Sequence, residues 1–324
     1  MAARSEAPLP EIVELTSLTV AELSPLMEEE ISEWRRYFSW DFRPSADLLR
    51  RFVGLRSLVG YALCVGRTVV GYSYHVCEGN KGLIGDFYLR RDYADPSNEM
   101  MLLGATVQGL MLAPGVKRIE SQLLLLNAPP TQTLPFNRFL SRYERYFMEV
   151  SRAAVLALRP RVLPTGFTVL PWSDGLREEA AHLMTTSYFG HVDSEINDQY
   201  RTVPGARHFL TNIIQFPGCG HFSSKGSIVA VDRKTGRICG MSLVSMVSES
   251  SGHVTQLCVS QDTRGTGLGY ELMRQSMVRL LEFGCKTISL TVTVSNVEAL
   301  RLYESIGFTV TALFPALVWE GFGR

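Results

Sequence analysis

The sequence predicts an α/β protein made of two tandem, similar domains, each a mixed and mostly antiparallel sheet flanked by helices. Three observations predict it. At 324 residues the chain exceeds one average compact unit. Strand-like runs and amphipathic segments alternate along it. The order in which they come in the second half is repeated in the first at a nearly fixed offset.

In the first half, residues 12–18 open as a strand and 19–42 follow as helix, broken near Trp40. Trp34, Tyr37 and Phe38 recur at helical spacing, which reads as core packing rather than a ligand platform. Residues 61–65 and 68–76 form a hairpin about Gly66-Arg67. A strand runs through Phe87-Tyr88-Leu89. The helix over 100–113 is apolar on nearly every face, which predicts burial on both sides. Another strand follows Gly115. Residues 151–165, punctuated by Pro160 and Pro164, read as a connector, so domains are expected at 1–155 and 165–324.

The second half opens with a strand at 167–172 and a helix at 174–187. A Gly-, Pro- and His-containing region follows, with a helix near 205–216. Strands at 228–231 and 238–247 flank a turn at 232–236, and 253–259 is a third strand. A Gly-rich loop leads into a helix that places Met273, Met277, Leu280 and Leu281 on one face and stops at Gly284. A strand at 287–294, a short helix at 297–306 and a strand at 308–314 complete the order. Gly71-Tyr72-Ser73 matches Gly240-Met241-Ser242, Asp92 matches Asp262 (262 − 92 = 170), and Gly115 matches Gly284 (284 − 115 = 169). Asn127 falls opposite Asn296. Such constancy across hairpin, strand and helix end implies duplication of one fold.

Composition narrows the partners. Lys plus Arg and Asp plus Glu are 32 each, so the chain lacks the basic surplus of a non-specific nucleic-acid binder. No stretch reaches the ~18–20 apolar residues of a membrane span, and residues 1–14 lack the apolar core of a signal peptide, so a cytoplasmic location is expected. Six cysteines without a C-x-x-C pair read as reduced and buried. His191, His208 and His221 show no ligand spacing with Cys219, so no metal is expected.

The chemistry concentrates in Arg264-Gly265-Thr266-Gly267-Leu268-Gly269, where a strand turns through small residues into a helix. The first amides of a helix lack internal partners, and the helix dipole adds positive potential there. Glycines remove the Cβ atoms that would keep a pyrophosphate away, and Arg264 adds a charged donor. A P-loop would need a Lys-Ser or Lys-Thr pair, which is missing. A dinucleotide fold would need glycine where Tyr270 stands and a carboxylate ending the next strand, where Ser295-Asn296 stand.

The loop resembles the coenzyme A signature of the GNAT acyltransferases, [QR]-x-x-G-x-[GA], through Arg264, Gly267 and Gly269. A second block, Asn296, Ala299, Tyr303, Gly307 and Phe308, resembles the family's N-x-x-A-x-x-x-Y-x-x-x-G-F pattern. The resemblance covers roughly residue 165 to the end; the first half matches in layout. It implies two GNAT-like domains, acetyl-CoA as co-substrate and an amine as acceptor. The strand before the loop (Leu257, Cys258, Val259) would pair its backbone with the pantetheine arm. The loop from Arg264 through Gly265, Thr266, Gly267, Leu268 and Gly269 would hold the pyrophosphate, and Asn296 and Ala299 would lie along the arm. Tyr303 would be the general acid for the leaving thiolate, as suits a phenol with pKa near ~10. The family often carries a carboxylate base on the strand before the loop. Thr255 and Gln256 stand there, leaving Glu249 or His253 as candidates. In the first half, Ala94-Asp95-Pro96-Ser97-Asn98-Glu99 replaces the loop. Pro96 removes a donor and two carboxylates repel phosphate, so that repeat is expected to be degenerate. The alternative is a non-catalytic acyl-CoA sensor.

Overall fold

The structure, a computed structural model, describes residues 8–163 and 166–323; Pro164 of the expected connector lies outside them. Strand β1 (Pro10–Glu14) leads to helices α1 (Val20–Phe38) and α2 (Arg43–Gly54). Strands β2 (Gly60–Val65), β3 (Thr68–Glu78) and β4 (Lys81–Leu89), helix α3 (Pro96–Leu112) and strand β5 (Arg118–Gln122) follow. Strand β6 (Leu140–Ser151) and the short α4 (Arg152–Ala157) precede β7 (Phe167–Pro171), α5 (Arg177–Ser187), α6 (Val192–Ile196), α7 (Val203–Gln215) and β8 (His221–Phe222). The chain ends with β9 (Ile228–Asp232), β10 (Ile238–Ser248), β11 (Ser251–Val259), α8 (Leu268–Glu282), β12 (Thr287–Thr293), α9 (Val297–Ile306) and β13 (Thr309–Glu320). Among the described residues no helix is long and apolar enough to cross a membrane.

The chain forms two compact units. The first holds the described residues up to Tyr37, Phe42–Glu144 and those from Phe314 on; the second holds Phe38–Asp41 and Arg145–Leu313. In the first, the strand order is β1-β2-β3-β4-β5, with the end of β13 antiparallel to β5 from Ala316↔Gln122 to Glu320↔Arg118. In the second, the end of β6 lies antiparallel to β12 from Thr287↔Ser151 to Thr293↔Arg145, followed by β11, β10, β9 and β7. Each sheet is antiparallel except for one parallel pair, β4–β5 and β11–β12. The units therefore differ from the expected division at 1–155 and 165–324: residues 145–155 go with the second and 314–323 with the first. The last strand of each repeat completes the other repeat's sheet. Alternation along a strand reports which face is buried, not which neighbour it joins.

Duplication is written in the irregularities. Between β3 and β4 the extra residue is Gly85, and between β10 and β11 it is Thr255 (255 − 85 = 170). Val70 and Cys239 bulge equivalently in the preceding pairs (239 − 70 = 169). A Cβ on Gly82 would meet Leu110 at 2.6 Å, and one on Gly252 would meet Leu280 at 2.7 Å. In both repeats the helix after the loop sits this close to the sheet, and only glycine leaves room for it.

Several details depart from expectation. The first strand is shorter than residues 12–18, giving way to a 3-10 turn at Leu15–Ser17. Helix α3 buries Leu102, Leu103, Val107 and Leu110, but leaves Leu112 76% exposed, so it covers one side rather than two. Trp34 and Phe38 are buried as expected while Tyr37 is exposed. Cys77 is exposed, whereas Cys64, Cys239, Cys258 and Cys285 are buried. In the second unit the predicted stripe of α8 (Met273, Met277, Leu280 and Leu281) packs on Ile288, Leu290 and Val292 of β12. Helices α5 and α7 cover the other face through Ala181, Met184 and Leu210 against Met241 and Leu243.

Candidate functional site

Strand β11 pairs with β12 over Ser251–His253; beyond the bulge at Thr255 its one strand neighbour among the described residues is β10. A bulge bends a strand and increases its twist, so β11 splays from β12 and leaves one edge without a strand partner among the described residues along Leu257, Cys258 and Val259, where the Ser187 hydroxyl donates to Val259 O at 3.1 Å. The gap runs toward the glycine loop. There Thr263 is tied back to the Ser260 carbonyl, and the Thr266 hydroxyl donates to Thr263 O at 2.7 Å. Gly265 and Gly267 take left-handed φ values of 75° and 86°, which side chains resist. Gly267 is the N-cap of α8 and supplies no capping side chain. The amides of Gly267, Leu268, Gly269 and Tyr270 have no acceptor among the described residues. Buried Leu268 and Tyr270 anchor this turn against the sheet, so the donors are held in place rather than frayed.

Two guanidinium groups stand at this turn. Arg264 donates to Ser187 O at 3.0 Å. Arg161, which sequence reasoning missed, stacks 4.3 Å over the Tyr270 ring, and its Cδ lies 3.3 Å from where a Gly267 Cβ would be. Nothing local in the sequence links Arg161 to the loop; its backbone N–H is held by Glu271 Oε2 at 3.0 Å.

The second block is a doubly capped helix. Asn296 Oδ1 accepts the Ala299 amide at 3.2 Å, Gly307 closes α9 at φ 100°, and the Phe308 amide bonds Tyr303 O at 3.0 Å. Asn296 thus uses its oxygen within the helix itself. Burial first, and then the Asp193 carboxylate, raise the Tyr303 phenol above its ordinary range, with Arg145 opposing, so it keeps its proton at neutral pH.

The opposite side of the gap is polar. Along β12, Ile288, Leu290 and Val292 face α8, so Thr287, Ser289, Thr291 and Thr293 face away from it. Arg145 Nη2 donates to Thr291 Oγ1 at 3.1 Å, and Thr293 donates to Asp193 Oδ1 at 2.5 Å. Gln256 donates to the Tyr188 hydroxyl at 2.5 Å, and Tyr188 stacks on Tyr200 at 4.6 Å. Arg145, Asp193, Tyr188 and Tyr200 were not singled out from the sequence. The one available signal was the strict polar–apolar alternation from Thr287 to Thr293.

Neither base candidate is placed at the gap. Glu249 is exposed on the turn before β11, six residues from Thr255 and so ~20 Å along an extended chain. His253, expected at the start of the third strand, is buried in β11 where β11 still pairs with β12. Its Nδ1 lies 2.9 Å from Ser289 Oγ, and Trp40 and Phe147 pack against its ring. Burial, then the Arg145 charge, lowers its pKa to about 3, too weak a base for an amine proton. His208 and His221 are exposed, and among the described residues no group of His, Cys, Asp and Glu is arranged to hold a metal.

The first unit closes the equivalent turn. Asp95 caps α3, accepting the Ser97 and Asn98 amides at 2.9 and 3.1 Å, and Pro96 has no N–H. Glu99 is buried and accepts the Asn127 amide at 3.2 Å. Opposite Gln256 stands Asp86 (256 − 86 = 170), beside buried Glu30. Tyr72 donates to Glu30 at 2.7 Å and lies 3.3 Å from Asp86 Oδ2. Burial, then the Asp86 charge, pushes the Glu30 carboxyl well above the usual range.

The sequence model of the acetyltransferase (GNAT) family matches residues 193–308, which hold the loop, α8, α9 and Tyr303. This segment belongs to the GNAT family. A mycothiol acetyltransferase of Corynebacterium jeikeium is 40% identical over 62 residues, 19% of this chain and 18% of that protein. An N-alpha-acetyltransferase of Caenorhabditis elegans is 37% identical over 101 residues, 29% of this chain and 55% of that protein. The chain thus spans less than two thirds of these relatives, and as little as 18% of one. A tandem GNAT protein from the clavulanic acid biosynthesis pathway aligns over 96% of this chain and 98% of its own, with a TM-score of 0.59 at 13% identity. A GCN5-related N-acetyltransferase from Sphaerobacter thermophilus covers 96% of this chain and 95% of its own, with a TM-score of 0.62 at 16% identity. These likenesses span both units, and the fold is that of a tandem GNAT protein.

Proposed function

We propose that the second unit is an acyltransferase, moving an acetyl or other short acyl group from acetyl-CoA to an amine by direct attack in a ternary complex. The observation that carries this reading is the set of unpartnered amides at the start of α8, set where β11 leaves β12. Acetyl-CoA is the co-substrate and supplies an activated thioester. The amides of 267–270, with Arg264, Thr266 and the open backbone at Gly265, suit its pyrophosphate. The unpaired edge of β11 at Leu257, Cys258 and Val259 suits an amide-bearing arm, and Asn296 and Ala299 open α9 beside it. Tyr303 holds a proton at its phenol oxygen for the sulfur that departs. The polar face of Thr291, Thr293, Gln256 and the stacked tyrosines receives the amine. The first unit, its helix start already capped, binds no coenzyme A in this way.

The test is mass spectrometry of the full chain with acetyl-CoA and a panel of amines, alongside a thermal shift with coenzyme A. An acetylated amine is expected. A melting shift without any product would leave a binding protein, and neither signal would remove the reading.

A further inference from the structure

We propose that Asp193 is the general base of this reaction, its Oδ2 taking the proton from the acceptor nitrogen; the inference rests on the acyl-transfer reading above. The two oxygens of Asp193 have different duties. Oδ1 accepts from Thr293 and lies 3.7 Å from Arg145 Nη1. Oδ2 lies 3.6 Å from His191 Nδ1, but that nitrogen accepts the Asp193 backbone N–H at 3.1 Å and has no proton to give. Oδ2 therefore keeps its lone pairs free of any donor among the described residues. The side chain is 14% exposed, reachable by an amine yet shielded from bulk water.

The surroundings place this oxygen at the reacting gap. The Asp193 charge acts on the phenols of Tyr188, Tyr200 and Tyr303 alike. Strand β11 offers no rival: the Thr255 hydroxyl is spent on Leu243 O, and Gln256 is an amide bound to Tyr188. Thr293 and Arg145 fix the plane of the carboxylate, as a base must be fixed to meet a nitrogen.

The step balances within the site. The neutral amine nitrogen bonds to the acyl carbon, and its N–H becomes acidic as that bond forms. The proton passes to Asp193 Oδ2, the carbon–sulfur bond breaks, and the sulfur takes the Tyr303 proton. The proton then returns from Asp193 to the Tyr303 oxygen, directly or through water, restoring both groups.

Kinetics of the full chain test this with the best amine of the panel. Asp193→Asn keeps the shape and the Thr293 contact, and should lower kcat ~100-fold or more while the acetyl-CoA Kd moves less than ~2-fold. Thr293→Val, which loosens but keeps the carboxylate, should cost ~10-fold or less. Near-wild-type kcat in Asp193→Asn would overturn the assignment. If Asp193→Asn loses its coenzyme A melting shift, Asp193→Ala with added formate decides: restored turnover supports the base, and none refutes it. A wild-type chain that acetylates nothing would instead remove the acyl-transfer reading beneath.

Discussion

At the start of α3 a carboxylate faces the helix; at the start of α8 nothing does. Asp95 holds two amides of α3 and Pro96 lacks a third, so the positive end of that helix is answered by the chain itself. At α8 the equivalent cap is Gly267, and the amides of 267–270 stay unanswered among the described residues. The folds around the two turns agree down to their bulges at Gly85 and Thr255. One architecture therefore carries an open anion site or a sealed one according to a few cap residues, and the sealed copy is free to do structural work.

The sharpest way to break this contrast is to move the cap. Gly267→Asp gives α8 the carboxylate of α3, and should weaken acetyl-CoA binding ~100-fold or more, about 2.7 kcal/mol, by calorimetry on a folded chain. Tyr303→Phe should lower turnover ~30- to 100-fold while leaving the acetyl-CoA Kd nearly unchanged; loss of binding instead would end its role as acid. Gly82→Ala and Gly252→Ala test whether the two repeats share their packing. Each drives a methyl into a leucine, and each should cost ~1–3 kcal/mol in denaturant unfolding. Asp95→Ala should cost ~1 kcal/mol and produce no coenzyme A binding, because Pro96 still withholds a donor. The smallest effect belongs to Glu30. Its carboxyl is raised in the folded state, so the unfolded chain releases that proton first and stability falls as pH climbs above the ordinary carboxylate range. Glu30→Gln should flatten the decline in Tm as pH rises above the ordinary carboxylate range; an unchanged slope would show that the pair with Asp86 does not titrate there.

Much of this was legible beforehand because it is local. The glycine loop, the apolar stripe of α8 and the spacing from Asn296 to Gly307 each fit within one turn and one helix, and the spacing is that of a capped helix. The near-constant offset of 169 to 170 also survived, since duplication preserves order even where side chains diverge. What stayed hidden required distant segments to meet. Arg145 and Asp193 lie 48 residues apart (193 − 145 = 48), and neither carries a local motif. His253 was read at the start of a strand, but its burial against Trp40 and Phe147 depends on segments far away in the chain. The partners of β6 and β13 were invisible for a related reason. A strand's composition tells that it pairs, and only the assembled sheet tells with what.

That last point reaches into synthesis. On the ribosome, β5 is complete at Gln122, but its antiparallel neighbour arrives only with residues 316–320, nearly two hundred residues later. At ~5–20 residues per second the nascent first unit waits ~10–40 seconds with a bare sheet edge. Such an edge is a template for unwanted pairing, so chaperone demand should concentrate in that interval and fade once the final strand emerges.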